Sequence, residues 1–498
     1  MGAIETGIVM VLRWDVILTV LAASIFGLVV GAIPGLTATM AIALLVPITF
    51  FMEPLPAVGA MIACSAMAIF AGDIPSTLMR MPGTPASAAY TEECYAMTRK
   101  GQAEVALGAN VLFSALGGLF GTFILILAAP LLAEVALGFS SFEYFWLALL
   151  GLACAIFIGA GSPVKGLISL LLGLFVAQVG IDNPGGLPRF TFGSTELLGG
   201  IDFIPAMIGL FAMSEVIRTM ASGARDWQVK QTSIGNPLKG WGAMFVKYWP
   251  QQIRGNLTGT AIGILPGAGA DIAAWVSYAT SRKFSKTPEK FGTGHVEGII
   301  ESTSSNNAAL AGAWVPALVF GIPGDSITAV VIGVLYLKGL NPGPMLFINN
   351  PQTIYAVFTI FILANLLMVP LGLLALKAGT ALLKFPRRIL IPIILMFCIV
   401  GSYAVNNSPY GVVVMLVFGV LGFLMEEHEI PIAPCVLGIV LGKLLEESFV
   451  TSMIKADGNL LAFFERPISG TLGALTILVF VWPIWSALRA RRRAPAAG

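Results

Sequence analysis

The sequence predicts an all-α polytopic membrane protein with about twelve transmembrane segments, built as two homologous repeats that contain re-entrant or broken Pro-Gly helices. Three observations predict this class: the composition, a series of long apolar segments, and paired helix interruptions. Hydrophobic residues make up 57% of the 498 positions and charged residues only 11%, which is too little polar surface for a soluble protein of this length. The formal net charge of +2 is too small to indicate nucleic acid as a partner.

The apolar segments follow one another along nearly the whole chain. No Lys or Arg precedes Arg13, and the first apolar segment runs on past Val46, so we expect it to stay in the mature protein rather than act as a cleaved signal. A window of about 20 residues locates these segments at 16–50 (broken), 57–80, 105–132, 143–160, 164–181, 200–217, 256–280 (broken), 306–336, 352–378, 389–405, 409–425, 430–445 and 469–487.

Basic residues predict the orientation of the chain in the membrane. The stretch from Arg218 to Arg254 carries six cations against one acid, and the loop from Arg282 to Lys290 carries four cations. Both are therefore predicted to be cytoplasmic. The segment 256–280 between them would then enter and leave on the same side, as a re-entrant hairpin with Pro266-Gly267 at its turn.

Three pairs of similar sequences indicate a duplication. Gly31-Ala-Ile-Pro-Gly-Leu-Thr-Ala-Thr is repeated 232 positions later as Gly263-Ile-Leu-Pro-Gly-Ala-Gly-Ala-Asp. Met81-Pro-Gly-Thr-Pro-Ala-Ser matches Ile322-Pro-Gly-Asp-Ser-Ile-Thr at an offset of 241, and Gly161-Ser-Pro parallels Asn407-Ser-Pro at an offset of 246. We expect the repeats to be inverted, because inverted repeats suit alternating access.

The duplication and the charges together predict four regions. These are a first transmembrane repeat (1–217), a cytoplasmic linker (218–255), a second transmembrane repeat (256–450), and a C-terminal transmembrane helix with a basic cytoplasmic tail (451–498).

The Pro-Gly interruptions are the predicted functional site. Unwound backbone inside a bilayer is tolerated where it faces a cavity or buried partners, and a helix that begins after Pro-Gly presents free N–H groups to an anion. The alternative is that Pro-Gly only kinks a transmembrane helix, as both residues are common there. The substrate-binding candidates are Pro34, Gly35, Thr37, Gly83, Thr84, Ser87, Pro266, Gly267, Gly269, Gly324 and Ser326.

Acidic residues inside apolar segments form the second predicted feature. Asp73, Asp271, Glu301 and Asp325 lie there, at a cost of at least about 2.5 kcal/mol each. Asp271 and Asp325 closely follow Gly267 and Gly324, so each either caps a helix or couples transport to a cation.

A polar run precedes the apolar segment at Ala308. The residues 301–307 are consistent with a solvated helix start, and the Asn pair with a cation- or substrate-facing edge. The candidates for cation coupling are Asp271, Asn306, Asn307 and Asp325. With two histidines and no HExxH motif, the sequence predicts no protein-bound metal centre.

Over nearly its whole length the chain resembles the large membrane subunit of the tripartite tricarboxylate transporters, the TctA family. The resemblance is carried by Gly31-Ala-Ile-Pro-Gly-Leu, Met81-Pro-Gly-Thr-Pro-Ala-Ser, Gly263-Ile-Leu-Pro-Gly-Ala-Gly-Ala, Asn306-Asn307-Ala, Gly321-Ile-Pro-Gly-Asp and Gly339-Leu-Asn-Pro-Gly-Pro. It implies a permease in the bacterial inner membrane that works with a small four-helix membrane subunit and a periplasmic solute-binding protein. It also implies carboxylate uptake driven by a cation gradient.

The predicted function is therefore a non-enzymatic one. We expect a permease subunit that imports tricarboxylates or related carboxylates by Na⁺ or H⁺ symport, without any other cofactor. Two alternatives remain open, a permease of another transporter class and an intramembrane aspartyl protease. Against the protease, Ile322 stands where the first glycine of a GxGD motif is required. The chain also carries no GxxxxGK[ST] sequence for an ATPase and no GxSxG nucleophile elbow.

Overall fold

The computed structural model describes residues 2–33, 36–158, 162–182, 185–222, 236–238, 240–378 and 387–493. Within these ranges the secondary structure is almost entirely helical, as the sequence predicts. The chain divides into two compact units. Unit 1 comprises Met1–Glu134 and Asp202–His428, and unit 2 comprises Val135–Ile201 and Glu429–Gly498.

Helices dominate the N-terminal part of the chain. Its elements are α1 (Ala3–Val11), α2 (Trp14–Gly31), α3 (Ala38–Phe50), α4 (Pro54–Ala71), α5 (Asp73–Met79), a 3₁₀ turn (Ser87–Ala89), α6 (Thr91–Arg99), α7 (Ala103–Ala136), α8 (Ser141–Ile158), α9 (Pro163–Ala177), the antiparallel pair β1 (Gly180–Ile181) and β2 (Pro188–Arg189), α10 (Thr195–Leu198), α11 (Phe203–Met207), a π-helical turn (Ile208–Met213) and α12 (Ser214–Ser222).

In the C-terminal part, all regular elements within the described ranges are helices or helical turns. Its elements are α13 (Trp241–Ile264), α14 (Gly269–Phe284), a 3₁₀ turn (Pro288–Lys290), α15 (Val296–Phe320), α16 (Ser326–Leu337), α17 (Pro344–Asn349), α18 (Pro351–Ala378), α19 (Arg387–Asn406), α20 (Pro409–Glu427), α21 (Ile432–Lys455), α22 (Ala462–Glu465) and α23 (Pro467–Arg493).

Six helical segments of the described chain are long and apolar enough to cross a membrane: Trp14–Gly31, Pro54–Met79, Ala103–Ala136, Phe203–Ala221, Pro351–Lys377 and Pro409–Glu427. Further apolar helices of 10–17 residues include α3 and α16, which follow interruptions. The broken segment predicted at 16–50 is thus a long helix followed by a short one, as is the segment predicted at 306–336.

In unit 1, α13 and α15 are parallel and in backbone contact. A Cβ atom added to Gly259 would overlap the carbonyl oxygen of Ser305, and one added to Gly263 would overlap that of Ala309. The contacts therefore advance in the same direction along both helices. Because only glycine fits at these positions, the two backbones approach as closely as in small-residue packing of membrane helices.

The helix between them, α14, runs in the opposite direction. The Ser277 hydroxyl donates to the Glu301 carbonyl oxygen (3.1 Å), and the Ser305 hydroxyl donates to the Ala273 carbonyl oxygen (3.0 Å). From one of these contacts to the next, the residue number decreases on α14 and increases on α15, so the two helices are antiparallel. The chain therefore reverses direction between α13 and α14, at Pro266-Gly267.

The same packing recurs between α2 and α4. A Cβ atom on Gly27 would overlap the Cys64 carbonyl oxygen, and one on Gly31 would overlap that of Ala68. These glycines precede those of α13 by 232 positions, and their partners precede those of α15 by 241 positions. These are the two offsets that the sequence repeats show, so equivalent positions make equivalent contacts.

Unit 2 packs α21 against α8 and α9. A Cβ atom on Gly173 of α9 would overlap the Cys435 carbonyl oxygen, and the Cys435 amide donates to the Ser169 hydroxyl (3.0 Å). At one end of this unit, Arg466 pairs with the buried Glu143, with 3.2 Å between Nε and Oε1. Close backbone contact and partly buried ion pairs thus hold unit 2 together, among them Arg466–Glu143 and Arg189–Glu446.

Candidate functional site at the helix interruptions

The second interruption, Pro82-Gly83, packs directly on the end of α4. A Cβ atom on Gly83 would lie 2.5 Å from the Gly72 Cα atom, so a side chain does not fit there. The Gly83 amide donates to the Gly72 carbonyl oxygen (3.1 Å). Thr84 and Ser87 then cap each other: the Thr84 amide donates to the Ser87 hydroxyl (3.1 Å), and the Ser87 amide donates to that of Thr84 (3.2 Å).

The fourth interruption, Pro323-Gly324, has the same design. A Cβ atom on Gly324 would lie 2.7 Å from the Ala313 Cα atom. The Asp325 amide donates to the Thr328 hydroxyl (2.9 Å), and the Thr328 amide donates to Asp325 Oδ1 (2.8 Å). Asp325 is therefore the N-cap of α16. These contacts lie 241 positions beyond their counterparts at Gly83, Gly72, Thr84 and Ser87.

The third interruption is a tight turn between α13 and α14. The Ala268 amide donates to the Leu265 carbonyl oxygen (3.1 Å), and Gly267 has φ +82°. Pro266 precedes this glycine, which is the arrangement of a type II turn. Gly269 follows with φ +61°, and a Cβ atom added to it would lie 2.6 Å from the Asp325 Cβ atom. The third and fourth interruptions are therefore in direct contact.

For the first interruption, the structure describes the residues that follow Pro34-Gly35. Pro34 and Gly35 lie outside the described residues. Thr37 is the N-cap of α3, and its hydroxyl accepts a hydrogen bond from the Met40 amide (3.3 Å).

The interruptions of the two halves meet in pairs. The Thr39 hydroxyl, in the first turn of α3, lies 2.9 Å from the Ser326 hydroxyl at the start of α16. The Ala86 amide donates to Asp271 Oδ1 (3.1 Å). The helix that follows the first interruption therefore contacts the helix that follows the fourth, and the segment that follows the second contacts the helix that follows the third. A two-fold relation between the halves would exchange these two pairs.

Asp271 lies on the exposed side of this meeting point. It is exposed, as are Pro85 and Trp275. The Trp275 indole N–H donates to the Pro85 carbonyl oxygen (3.3 Å), one helical turn from Asp271. Because a carboxylate inside a membrane domain faces the bundle interior or a water-filled cavity rather than lipid, the exposed face of Asp271 indicates an aqueous opening at these interruptions.

The polar run at residues 301–307 is buried. The sequence is consistent with a solvated helix start at Glu301, and this expectation is wrong: α15 begins at Val296, and all seven residues are buried within it. Glu301 is instead paired with Arg254 of α13, with 2.7 Å between Nε and Oε1. The Arg254 guanidinium supplies the charge that makes a buried carboxylate tolerable.

Asn306 and Asn307 are each only 1% exposed. Among the described residues, neither side-chain carbonyl oxygen has a hydrogen-bond donor. The Asn307 amide nitrogen lies 3.6 Å from the Met368 sulfur, a weak hydrogen-bond contact. Buried amide oxygens without donors are costly and are suitable ligands for a hard cation such as Na⁺.

The remaining acid, Asp73, is hydrogen-bonded on both oxygens. The Tyr90 hydroxyl donates to Oδ1 (2.6 Å) and the Thr303 hydroxyl donates to Oδ2 (3.1 Å). Ser114 lies 2.8 Å from Thr303, which extends the network to α7. Asp73 therefore joins α5 to α15 and does not lie at the meeting point of the interruptions.

Sequence reasoning missed three participants at the site, Ala86, Pro85 and Trp275. Ala86 and Pro85 contribute only backbone groups, which no residue type reveals. Trp275 falls at helical spacing from Asp271, a weak signal. Glu93 was also missed: this buried carboxylate accepts hydrogen bonds from the Gly294 and His295 amides (2.7 Å each), tying α6 to the connection before α15.

The fold and the site define a multi-pass α-helical membrane protein whose interrupted helices converge, an arrangement typical of secondary transporters. The chain belongs to the tripartite tricarboxylate transporter TctA family, whose family model matches residues 17–437. The family is one of membrane transport components, which places the chain among transport proteins.

Two relatives from Agrobacterium vitis are similar to this chain. One is an uncharacterized 52.8 kDa protein in the TAR-I ttuC′ 3′ region, 35% identical over 470 residues, covering 94% of this chain and 93% of the relative. The other is an uncharacterized protein in the TAR-II ttuC′ 3′ region, 34% identical over 234 residues, covering 47% of this chain and 97% of the relative. No solved structure matches the chain significantly.

Proposed function

We propose that the chain is the permease subunit of a binding-protein-dependent secondary transporter in the bacterial inner membrane. It imports tricarboxylates or related carboxylates by Na⁺ or H⁺ symport with alternating access. Its partners are a periplasmic solute-binding protein, which delivers the carboxylate, and a small four-helix membrane subunit. The family membership supports these partners, and the arrangement of the interruptions supports the chemistry.

The pairwise meeting of the interruptions carries the proposal. A multivalent carboxylate needs several donors directed at one place from more than one side. Across the two halves, the Ala86 amide lies beside Asp271 of α14, and the Thr39 hydroxyl of α3 lies beside the Ser326 hydroxyl of α16. Helix N-termini and free amides bind anions without requiring a buried arginine.

Cation coupling is proposed for the acids and amides near these helices. Asp271 and Asp325 lie on the third and fourth interruptions, and the backbone at Gly269 packs against the Asp325 side chain. Bringing an anion toward two carboxylates is unfavourable unless a cation enters with it. The side-chain oxygens of Asn306 and Asn307, which have no donor within the described part of the chain, are further candidate ligands for that cation.

A protease function has one observation in its favour, because two aspartates lie on neighbouring interruptions. However, Asp325 accepts from its own helix at Thr328, and Asp271 accepts from Ala86. A catalytic aspartate pair instead shares a proton between its two carboxyl groups. Because the two aspartates lie on neighbouring interruptions, an intramembrane aspartyl protease is the second candidate function.

Reconstitution tests both functions. Proteoliposomes containing the permease and the small subunit are loaded with buffer and given labelled citrate or succinate. We expect uptake only when the binding protein and an inward Na⁺ or H⁺ gradient are both present. Uptake without either requirement, or cleavage of a transmembrane peptide by the permease alone, would overturn the proposal.

The Gly267→Val variant tests the site within this assay. Valine strongly disfavours φ +82°, so the turn between α13 and α14 is disrupted. We expect uptake to fall to background. Gly242→Val is the matched control, because a Cβ atom at Gly242 meets nothing within 4 Å.

A further inference from the structure

A carboxylate of the protein itself already occupies an amide at the second interruption. The Ala86 amide, which follows Pro82-Gly83, donates to Asp271 Oδ1 at 3.1 Å. Asp271 belongs to α14 in the second half, 185 positions away. The structure therefore shows directly that this amide holds a carboxylate.

The Asp271 carboxylate is placed where it can be exchanged. Asp271 is exposed, and so is Pro85, the neighbour of the amide that it binds. By contrast, Asp325 accepts both the amide and the hydroxyl of Thr328 from its own helix (2.8 and 2.7 Å). Of the two acids at the interruptions, Asp325 is held locally, while Asp271 bridges the two halves.

Trp275 adds a second tether at the same place. Its indole N–H donates to the Pro85 carbonyl oxygen at 3.3 Å, one turn along α14 from Asp271. Asp271 and Trp275 thus contact neighbouring residues of the second interruption. Asp271, Trp275 and Pro85 are exposed, whereas Ala86 itself is only 1% exposed, so both contacts are reached from the side of Asp271 and Trp275.

We propose that Asp271 is an internal competitor of the substrate, holding the Ala86 amide until the coupling cation neutralises it and a substrate carboxylate takes its place. This inference rests on the proposed function and assigns the coupling to one hydrogen bond. An amide N–H has one hydrogen, and two carboxylates directed at it repel each other. A cation bound at Asp271 removes that repulsion and releases the amide.

The proposal makes coupling reciprocal. Because the cation and the substrate both favour the open bridge, each raises the affinity for the other by the same factor. Without the cation, the closed bridge excludes the substrate. Without the substrate, the Ala86 amide returns to Asp271.

The decisive variant is Asp271→Asn, which keeps an acceptor oxygen but removes the charge. In the proteoliposome assay we expect its KM for citrate at low cation to be at least fivefold below that of the wild type. We also expect its KM to stay nearly constant as Na⁺ or H⁺ is raised. Asp271→Glu restores the charge and is expected to restore cation dependence. Glu289→Gln, in the exposed 3₁₀ turn Pro288–Lys290, is the control.

A second variant removes the donor. Ala86 has φ −63°, which a proline ring adopts, so Ala86→Pro deletes the N–H without changing this dihedral. Neither Asp271 nor the substrate carboxylate can then bind this amide. We therefore expect the KM for citrate to rise at high cation concentration and the cation dependence of KM to disappear. This variant decides the matter if Asp271→Asn does not fold.

The outcomes separate this inference from the proposed function. One outcome is that the wild type takes up carboxylate with the binding protein and a cation gradient, while Asp271→Asn keeps the wild-type KM and cation dependence. That outcome excludes Asp271 as an internal competitor and retains the permease function. The internal competitor is likewise excluded if Ala86→Pro keeps both. If the wild type shows no such uptake, the proposed function itself fails.

Discussion

The Thr39 and Ser326 hydroxyls lie 2.9 Å apart, although 287 positions separate them in the chain. The contact joins the first turn of α3 to the first residue of α16. Hydroxyls from both halves of the chain thus lie at one place and are hydrogen-bonded to each other.

This contact predicts a measurable coupling between the two residues. Thr39→Val and Ser326→Ala each remove one hydroxyl, and together they form a double-mutant cycle. We expect a coupling energy of about 0.5–1.5 kcal/mol, typical of a net hydrogen bond. Thermal unfolding in nanodiscs measures it, with the exposed Thr471→Val as control. Strictly additive effects would show that the hydroxyls do not interact.

The cap of α16 predicts a difference between two substitutions at Asp325. Asp325→Ala removes the acceptor for the Thr328 amide and is expected to cost about 1 kcal/mol of stability. Asp325→Ser keeps a capping oxygen and is expected to lose less than half of that. The measurement is the melting temperature of the purified permease. Equal losses for alanine and serine would mean that the cap contributes little.

The pair Arg254–Glu301 predicts an asymmetric response to mutation. The Glu301 side chain is fully buried and that of Arg254 is 30% exposed. Arg254→Met leaves an unpaired buried carboxylate, which costs up to about 3–5 kcal/mol. Adding Glu301→Leu is expected to restore most of the loss, because the orphaned charge is removed. The free energy of unfolding measures both effects, and a double variant no more stable than Arg254→Met would contradict this account.

The contact between α13 and α15 predicts intolerance of bulk at Gly259. A leucine there overlaps the Ser305 carbonyl oxygen and separates the two backbones. We expect Gly259→Leu to lose both folded yield and uptake, and Gly27→Leu, at the equivalent position of α2, to do the same. Gly242→Leu is the control, since its Cβ atom meets nothing within 4 Å. Normal yield of both variants would mean that the helices can separate without consequence.

The sequence predicted the class of fold and the location of the interruptions. Composition identifies a membrane protein because the bilayer requires apolar surface, and Pro-Gly marks positions where a helix cannot continue. The turn at Pro266-Gly267 and the short helix after Pro323-Gly324 follow from these local rules. Inversion of the repeats and the side of each loop stay predictions.

The sequence could not predict which groups meet. Thr39 faces Ser326, and Ala86 faces Asp271, because α13 to α15 and α2 to α4 pack through glycines that set the positions of the following turns. Such distances depend on tertiary packing rather than on local composition. The buried state of Glu301 was misjudged for a related reason, since its partner Arg254 lies 47 positions earlier on another helix.

The reciprocal caps at Thr84 with Ser87 and at Asp325 with Thr328 have a consequence for the return half of a transport cycle. A carrier must reset its orientation after the cargo has left. These four side chains satisfy their own neighbouring amides, so the second and fourth bends are internally hydrogen-bonded without a substrate. In the proposed alternating-access cycle, we therefore expect the reset to move these preformed bends without local refolding.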